Sequence, residues 1–336
     1  VEDAYRIIGI ESSPYAMKVR AAFRYRRLPH IWVARMPQLF EETAGVRPLI
    51  MPTVQFPEGD YRTDSTPILL DLEERHRNGR SLLPDAPEIA FLALLIEDMA
   101  DEWLAKYLFH NRFSHEEDAR FASSWVIDDA QPAVATDALD ALAGAFRARQ
   151  TERMAIVGCT PENGPFFERF YLDLLAIMES FVATDRFLFG SRPSIADFGI
   201  YGQFCPLSAD PTSAGIMRDQ APRTMHWTWR TADASGVEGE WFDWPDSGDP
   251  PPHIRRLLGL AGQIYLPFLA ANAAAVDAGA EEVKVDIQGE PYRQLPFRYQ
   301  AKCLRALQAR FADLPNAAKA QIAPLLDESG CLAFLV

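Results

Sequence analysis

The sequence predicts three unlike parts: an α/β unit, then an all-α segment, then a mixed α+β extension. Three observations carry this. Over the first eighty residues, short apolar runs and two helical stretches follow the order βαβ, then ββα. From residue 88 to about 232 the apolar positions keep a 3.6-residue period and strand signals disappear. Past the breaker GDPPPH at 248–253, helical and alternating patterns mix again. The expected boundaries are therefore 1–80, 88–240 and 241–336, with a short Pro-containing linker around 81–87.

YRIIGI (5–10) reads as a buried strand, and 14–27 as a helix with Met17, Val19, Ala21, Ala22 and Phe23 on its apolar side. HIWVA (30–34) is a second strand, followed by an irregular stretch. PTVQF (52–56) and DYRT (60–63) alternate around Pro57-Glu58-Gly59, a hairpin signal. STPILLDLEERHRNG (65–79) predicts a helix with Gly79 as its stop. Helical periodicity then marks 88–113, about 115–150, 164–183, 194–204 and 212–234. In the last third, 253–279 reads as a helix interrupted near Pro267. The stretch 281–297 reads as a hairpin around Gly289, and 298–314 as another helix. Trp227, Trp229, Trp241 and Trp244 are expected to pack the extension onto the helical part; a lining for an apolar substrate is the other reading.

The chain has 336 residues, 48% hydrophobic and 24% charged, values of an ordinary globular protein long enough for two domains and an appendage. No uninterrupted apolar run reaches 18 residues, so no membrane partner is expected. The N-terminal VEDAYRIIGI lacks a basic segment followed by an apolar one, so a signal peptide is not expected either. Cys159, Cys205, Cys303 and Cys331 are widely spaced and form no CxxC, which predicts free thiols and a cytoplasmic location. A net charge of −14 argues against nucleic acid as a partner. Residues 1–80 are nonetheless balanced, with 12 Lys/Arg against 11 Asp/Glu. KVRAAFRYRR (18–27) is either an anion-accepting segment or a solvated basic face. Glu97, Asp98, Asp101 and Glu102, with His110 and His115 nearby, are expected to be a solvated helix face and not a metal site. GxSxG, GxGxxG, P-loop and HExxH motifs are absent.

The turn ESSPYAMKVR (11–20) carries the most chemistry. Ser13 is a favoured N-cap, and Pro14 suits the first helical position because its missing N–H would be unpaired anyway. The same geometry can steady an anion, since a hydroxyl and the free N–H groups of a helix start converge there. A thiolate is such an anion. SPYA (13–16) resembles the C-P-Y-C motif of glutaredoxins with both sulfurs replaced. Residues 1–158 hold no cysteine, so any sulfur at this turn should come from a ligand.

With these residues in view, the chain resembles the soluble glutathione transferases, and the serine-type members in particular. Beyond SSPYAMKVR, it has MPTV (51–54) where that family opens a strand with a cis-proline, and TDSTPI (63–68) like its acidic-Ser pair before a helix. FLFGSRPSIADFGIY (187–201) is similar to the start of the family's buried helix, with Ser194 and Asp197 as a capping pair of folding importance only. The resemblance covers about residues 5–232. It implies a thioredoxin-like N-terminal domain, an all-helical second domain, glutathione as co-substrate and a homodimer. Ser13 would stabilise the thiolate, with Ser12 as the other candidate. Met51 would offer backbone hydrogen bonds next to Pro52, Asp64 would hold the γ-glutamyl amine, and Ser65 its carboxylate. Met51 stands where the family usually has Val, a change the backbone role tolerates.

Three functions are compatible with this reading. The first is a transferase that conjugates or displaces with glutathione sulfur on an electrophilic, largely apolar small molecule. The second is a non-catalytic binding or assembly module on the same fold. The third is a glutathione-dependent reductase, lyase or isomerase.

Overall fold

The computed structural model describes residues 3–77, 79–243 and 250–336, so Trp244 lies outside the described residues. The chain opens with β1 (Tyr5–Gly9), α1 (Pro14–Tyr25), β2 (His30–Ala34), α2 (Leu39–Glu42), β3 (Thr53–Gln55), β4 (Tyr61–Thr63) and α3 (Ser65–Arg75). Helices follow: α4 (Pro87–Met99), α5 (Ala105–Ser114), α6 (Glu116–Ala130), α7 (Thr136–Arg153), α8 (Gly164–Phe181), α9 (Ile195–Leu207), α10 (Pro211–Gln220) and α11 (Pro222–Thr231). The extension holds α12 (Pro252–Leu260), α13 (Leu266–Ala278), β5 (Val283–Ile287), β6 (Glu290–Gln294), α14 (Arg298–Asp313), α15 (Asn316–Glu328) and α16 (Leu332–Leu335). The helix expected over 65–79 stops at Arg75, four residues before Gly79.

The chain divides into two compact units that do not follow chain order. Unit 1 combines Val1–Leu82, Asn111–Thr151 and Asp197–Glu238; unit 2 combines Leu83–His110, Glu152–Ala196 and Gly239–Val336. Unit 1 is built on a four-stranded sheet of order β2-β1-β3-β4. The β1–β2 pair is parallel, joined by α1, whereas β3 and β4 are antiparallel to their neighbours. This is a thioredoxin-like domain. Ile7 and Ile8 on β1 are buried, as a strand with partners on both edges requires.

The basic segment of α1 is not a solvated face. Lys18 and Arg26 are at most 1% exposed. Arg26 pairs with Glu73 and donates to the carbonyl of His76. Arg24 and Arg27 donate to the carbonyls of Ala232 and Ser235 at 2.9 and 2.8 Å. These arginines tie α1 to α3 and to the chain beyond α11.

Unit 2 is centred on Trp103, fully buried, with Phe268, Tyr292 and Phe167 rings at centroid distances of 5.1, 5.4 and 5.6 Å. Phe268 and Tyr292 belong to the extension, which is therefore part of this core. That overturns the expectation of a solvated acidic face at 97–102. Glu97 and Asp101 are 1% and 6% exposed, and the Tyr265 hydroxyl donates to Asp98 at 2.5 Å. Burial first, then Asp98 and Asp101 beside it, pushes the Glu102 carboxyl well above the usual range. Nearby, Lys106 donates to the Val157 carbonyl and to Gln294 Oε1 at 2.8 and 2.7 Å, and burial lowers its pKa to about 8. The acidic stretch reads as exposed in the sequence because partners such as Tyr265 and Gln300 lie far along the chain.

The interruption expected near Pro267 is a π-helical turn at Ala261–Tyr265, with Pro267 in the first turn of α13. The wider turn accommodates a proline that a regular helix interior excludes. The resulting helix, Pro252–Ala278, is long and apolar enough to cross a membrane, but 61% of its apolar window is buried inside the protein. The hairpin is as expected: Gln288 and Gly289 have φ of +56° and +85°, the two positive values of a tight primed turn. Trp227 is buried, whereas Trp229 is 56% exposed, against expectation, with its ring 5.6 Å from that of His226 on the same helix. Trp241 carries the Arg192 guanidinium over its ring at 4.5 Å.

Truncating Phe268 to Ala should lower stability by about 3–5 kcal/mol, through the cavity left beside Trp103. Denaturant unfolding followed by tryptophan fluorescence checks this.

Candidate functional site

The C-terminal end of β1 gathers the residues singled out in the sequence. Gly9 makes this possible, because a Cβ there would lie 2.7 Å from Ala16 Cβ and 3.0 Å from the Trp32 ring. Ser13 is the N-cap of α1, with extended backbone, and its Oγ accepts the Ala16 N–H at 3.4 Å. At that length the cap is weak, leaving the hydroxyl capacity for another partner. Ser13 is 7% and Ser12 1% exposed.

Antiparallel pairing of Ile8 with Thr53 brings the start of β3 to the same end of the sheet. The Met51–Pro52 peptide there is cis. The Met51 N–H and C=O make no hydrogen bond among the described residues. Thr53 also pairs with Thr63, so the end of β4 arrives beside them, carrying Asp64 and Ser65. Asp64 has φ +76° and ψ +117°, a strained conformation for a residue with a Cβ. Ser65, 4% exposed, opens α3. All six predicted residues therefore lie at one end of the sheet.

Four charged residues at this end were not singled out. Lys18 Nζ donates to Ser65 Oγ and Thr66 Oγ1 at 3.3 and 3.1 Å, setting a buried cation behind the start of α3. Arg112, on α5, donates to the Ser12 carbonyl at 3.0 Å and forks onto Asp210 at 2.8 and 3.3 Å. Asp129, on α6, accepts the Ser12 N–H at 2.9 Å. The Ser12 hydroxyl lies beside the same carboxylate, outside hydrogen-bond geometry. Arg35 follows β2 directly, half-buried over the Phe40 ring at 5.1 Å, with no carboxylate partner among the described residues. In the sequence, the sole signal for Lys18 was its place in the basic segment; Arg112, Asp129 and Arg35 had none.

The chemistry available is anion binding. Burial raises Asp210's carboxyl above its ordinary range against the opposing pull of Arg112. Cys205 is the one cysteine of unit 1, and burial pushes its thiol up to about 11. A neutral, partly buried thiol is a poor nucleophile. A sulfur nucleophile at this turn would have to come with a ligand. Gly202 on α9 packs against the start of α1, where a Cβ would lie 2.8 Å from both Lys18 Cβ and the Pro14 carbonyl.

Residues 7–80 match the family model of the glutathione S-transferase N-terminal domain, and this segment belongs to that domain family. No curated protein matches the chain. Among solved structures, the chain is similar to the β-etherase LigF of Sphingobium sp. strain SYK-6 at 16% identity and TM-score 0.47, covering 76% of this chain and 98% of that one. It is similar to a GST-like protein from Pseudomonas syringae at 18% identity and TM-score 0.45, covering 68% and 66%. A glutathione S-transferase from Methylobacterium radiotolerans, in complex with glutathione sulfonate, is 20% identical at TM-score 0.40, covering 71% and 96%.

Replacing Arg112 with Met should cost about 3–5 kcal/mol at neutral pH, because it strands the Asp210 carboxylate in the interior. A carboxyl with a raised folded pKa contributes stability below its unfolded pKa and loses it as pH rises through the folded one. The defect of Arg112→Met should therefore shrink as pH falls and Asp210 takes up a proton. Urea midpoints measured from pH 4 to 8 check the direction.

Proposed function

We propose that this chain, whose residues 7–80 belong to the glutathione S-transferase N-terminal domain family, binds glutathione at the end of its four-stranded sheet. The bound thiolate attacks an electrophilic, largely apolar small molecule. One observation supports this above the others: Ser12–Ser13, Met51 and Asp64–Ser65, distant in sequence, meet at one end of the sheet, where the Met51 peptide groups make no hydrogen bond among the described residues.

Each part of a glutathione molecule has a complementary group. Asp64 takes the γ-glutamyl amine. Ser65, the N-terminus of α3 and Lys18 behind it take the γ-glutamyl carboxylate, since a helix start and a cation both favour an anion. Met51 pairs its unused N–H and C=O with the cysteinyl backbone, beside Pro52. Arg35 is suited to the remaining carboxylate. The thiol then sits at the start of α1, where the Ser13 hydroxyl donates to the sulfur.

In the reaction the S–H proton leaves to water and the sulfur forms a bond to the electrophilic carbon. In displacement the leaving group departs with its electron pair; in addition the acceptor takes a proton from water. The rate comes from lowering the thiol pKa and from holding both reactants together. Within this reading, residues 1–80 hold glutathione, helices within 88–240 form the second-substrate face, and 241–336 complete the core of unit 2. A second copy of the chain is the partner for the exposed Phe40, Leu49 and Ile50. Four free cysteines fit a reducing compartment, the cytoplasm.

Calorimetric titration with glutathione, combined with ultraviolet absorbance of the thiolate, tests the proposal. Ser13→Ala should raise the bound thiol pKa by about one unit or more. Asp64→Asn and Ser65→Ala should each weaken binding by about tenfold. A wild-type chain that binds no glutathione would sink the reading. Binding without thiolate formation would leave a glutathione-binding module.

A further inference from the structure

We propose that Arg112 and Asp129 are positioning residues that hold the Ser12–Ser13 turn by its peptide groups, and that the negative charge on Asp129 opposes thiolate formation at that turn. The second half rests on the glutathione reading above; the first does not.

Both backbone polar groups of Ser12 are taken by charged side chains of matching polarity. The anion Asp129 accepts its N–H at 2.9 Å, and the cation Arg112 donates to its C=O at 3.0 Å. Ser12 is 1% exposed, so these side chains supply the partners that water would otherwise provide. Charge-assisted bonds at both ends leave the turn little freedom to rotate. The two clamps come from α5 and α6, and Arg112 is itself fixed by its fork onto the fully buried Asp210.

Asp129 sits where an anion is poorly supported. It lies in the last turn of α6, at the negative end of the helix dipole. Among the described residues no Lys or Arg pairs with it. The charges around it are mixed. Glu11, on the same turn, is a further anion but is engaged by Arg20 at 2.7 Å. Arg112 is committed to Asp210 and to the Ser12 carbonyl, with its guanidinium 5.6 Å from the Trp125 ring centroid, one turn earlier on α6. Asp128 precedes it on its own helix, exposed. Burial accordingly pushes the Asp129 carboxyl up, and the Ser12 N–H only partly offsets this. A thiolate at the start of α1 adds a second anion to the same turn, and neighbouring like charges raise each other's pKa.

Asn at 129 keeps an acceptor for the Ser12 N–H and removes the charge. The experiment uses the full chain with 15N-labelled serine, in wild type, Asp129→Asn and Asp129→Ala. Without ligand, the Ser12 amide should shift with pH as a carboxylate titrates, at a midpoint above that of an ordinary aspartate, and both variants should lose the shift. With glutathione, both variants should lower the bound thiol pKa by about one unit. Asp129→Ala should in addition speed hydrogen exchange at Ser12. A purely structural tie would alter exchange and leave the thiol pKa where it was, and that result would overturn the charge effect. A Ser12 amide that shows no Asp129-dependent titration would overturn the clamp. If wild type binds no glutathione, the functional reading fails, the charge effect falls with it, and the amide titration alone decides the clamp.

Discussion

The geometry of unit 1 depends on one buried guanidinium. Arg112 must leave water to reach its place, and two separate groups repay that desolvation: the carboxylate of Asp210, held in a fork, and the carbonyl of Ser12. A single-contact pair at this depth would be a liability. The three-bond arrangement fixes the turn between β1 and α1 from outside, because the turn's own backbone has few internal bonds to hold it. From that turn the constraint passes along α1. Lys18, one helical turn further, packs its Cβ against Gly202, where a side chain would collide with it, and donates to Ser65. The start of α3 is thereby tied to the start of α1.

Unit 2 follows another logic. Its centre is an aromatic cluster around Trp103, and the ring of Tyr292 on β6 and the ring of Phe268 on α13 are as much part of it as Phe167 on α8. The last hundred residues are thus built into a core and are no loose appendage. They also explain how a helix can carry Glu97, Asp98, Asp101 and Glu102 inward. Tyr265 and Gln300 supply hydrogen bonds to it from the extension, Tyr265 to the Asp98 carboxylate and Gln300 to the Glu102 carbonyl. Burial then favours the protonated form of Glu102. Two π-helical turns, Ala100–Leu104 and Ala261–Tyr265, mark where helix regularity yields to these contacts.

The sheet and its hairpin were legible because their signals are local. Alternation in 52–63, Gly59 in the turn and the apolar run of β1 each depend on residues within reach of one another. The Ser13 cap and the cis Met51–Pro52 peptide were legible for the same reason, helped by a family pattern. Other residues left no trace. Arg112 and Asp129 lie 100 and 117 positions from Ser12, in helices whose charged residues look like ordinary surface. The polarity of 97–102 suggests exposure, whereas Tyr265 and Gln300, more than 160 residues on, hydrogen-bond to this stretch and help to bury it.

By itself the sequence determined the strand and helix order of the first eighty residues apart from α2, the helix start at Ser13, the strand ends that bring Met51 and Asp64 forward, and that residues 1–158 offer no cysteine of their own. These follow from backbone preferences, residue chemistry and short-range periodicity. Tertiary structure alone decided which charges are buried, which chain segments form each compact unit, and what holds Ser12. Those outcomes depend on pairing between distant charges and on close backbone approach, and neither has a local period to read. The turn's helix start is set by its own residues, whereas the partners of the Ser12 backbone, Arg112 and Asp129, come from α5 and α6.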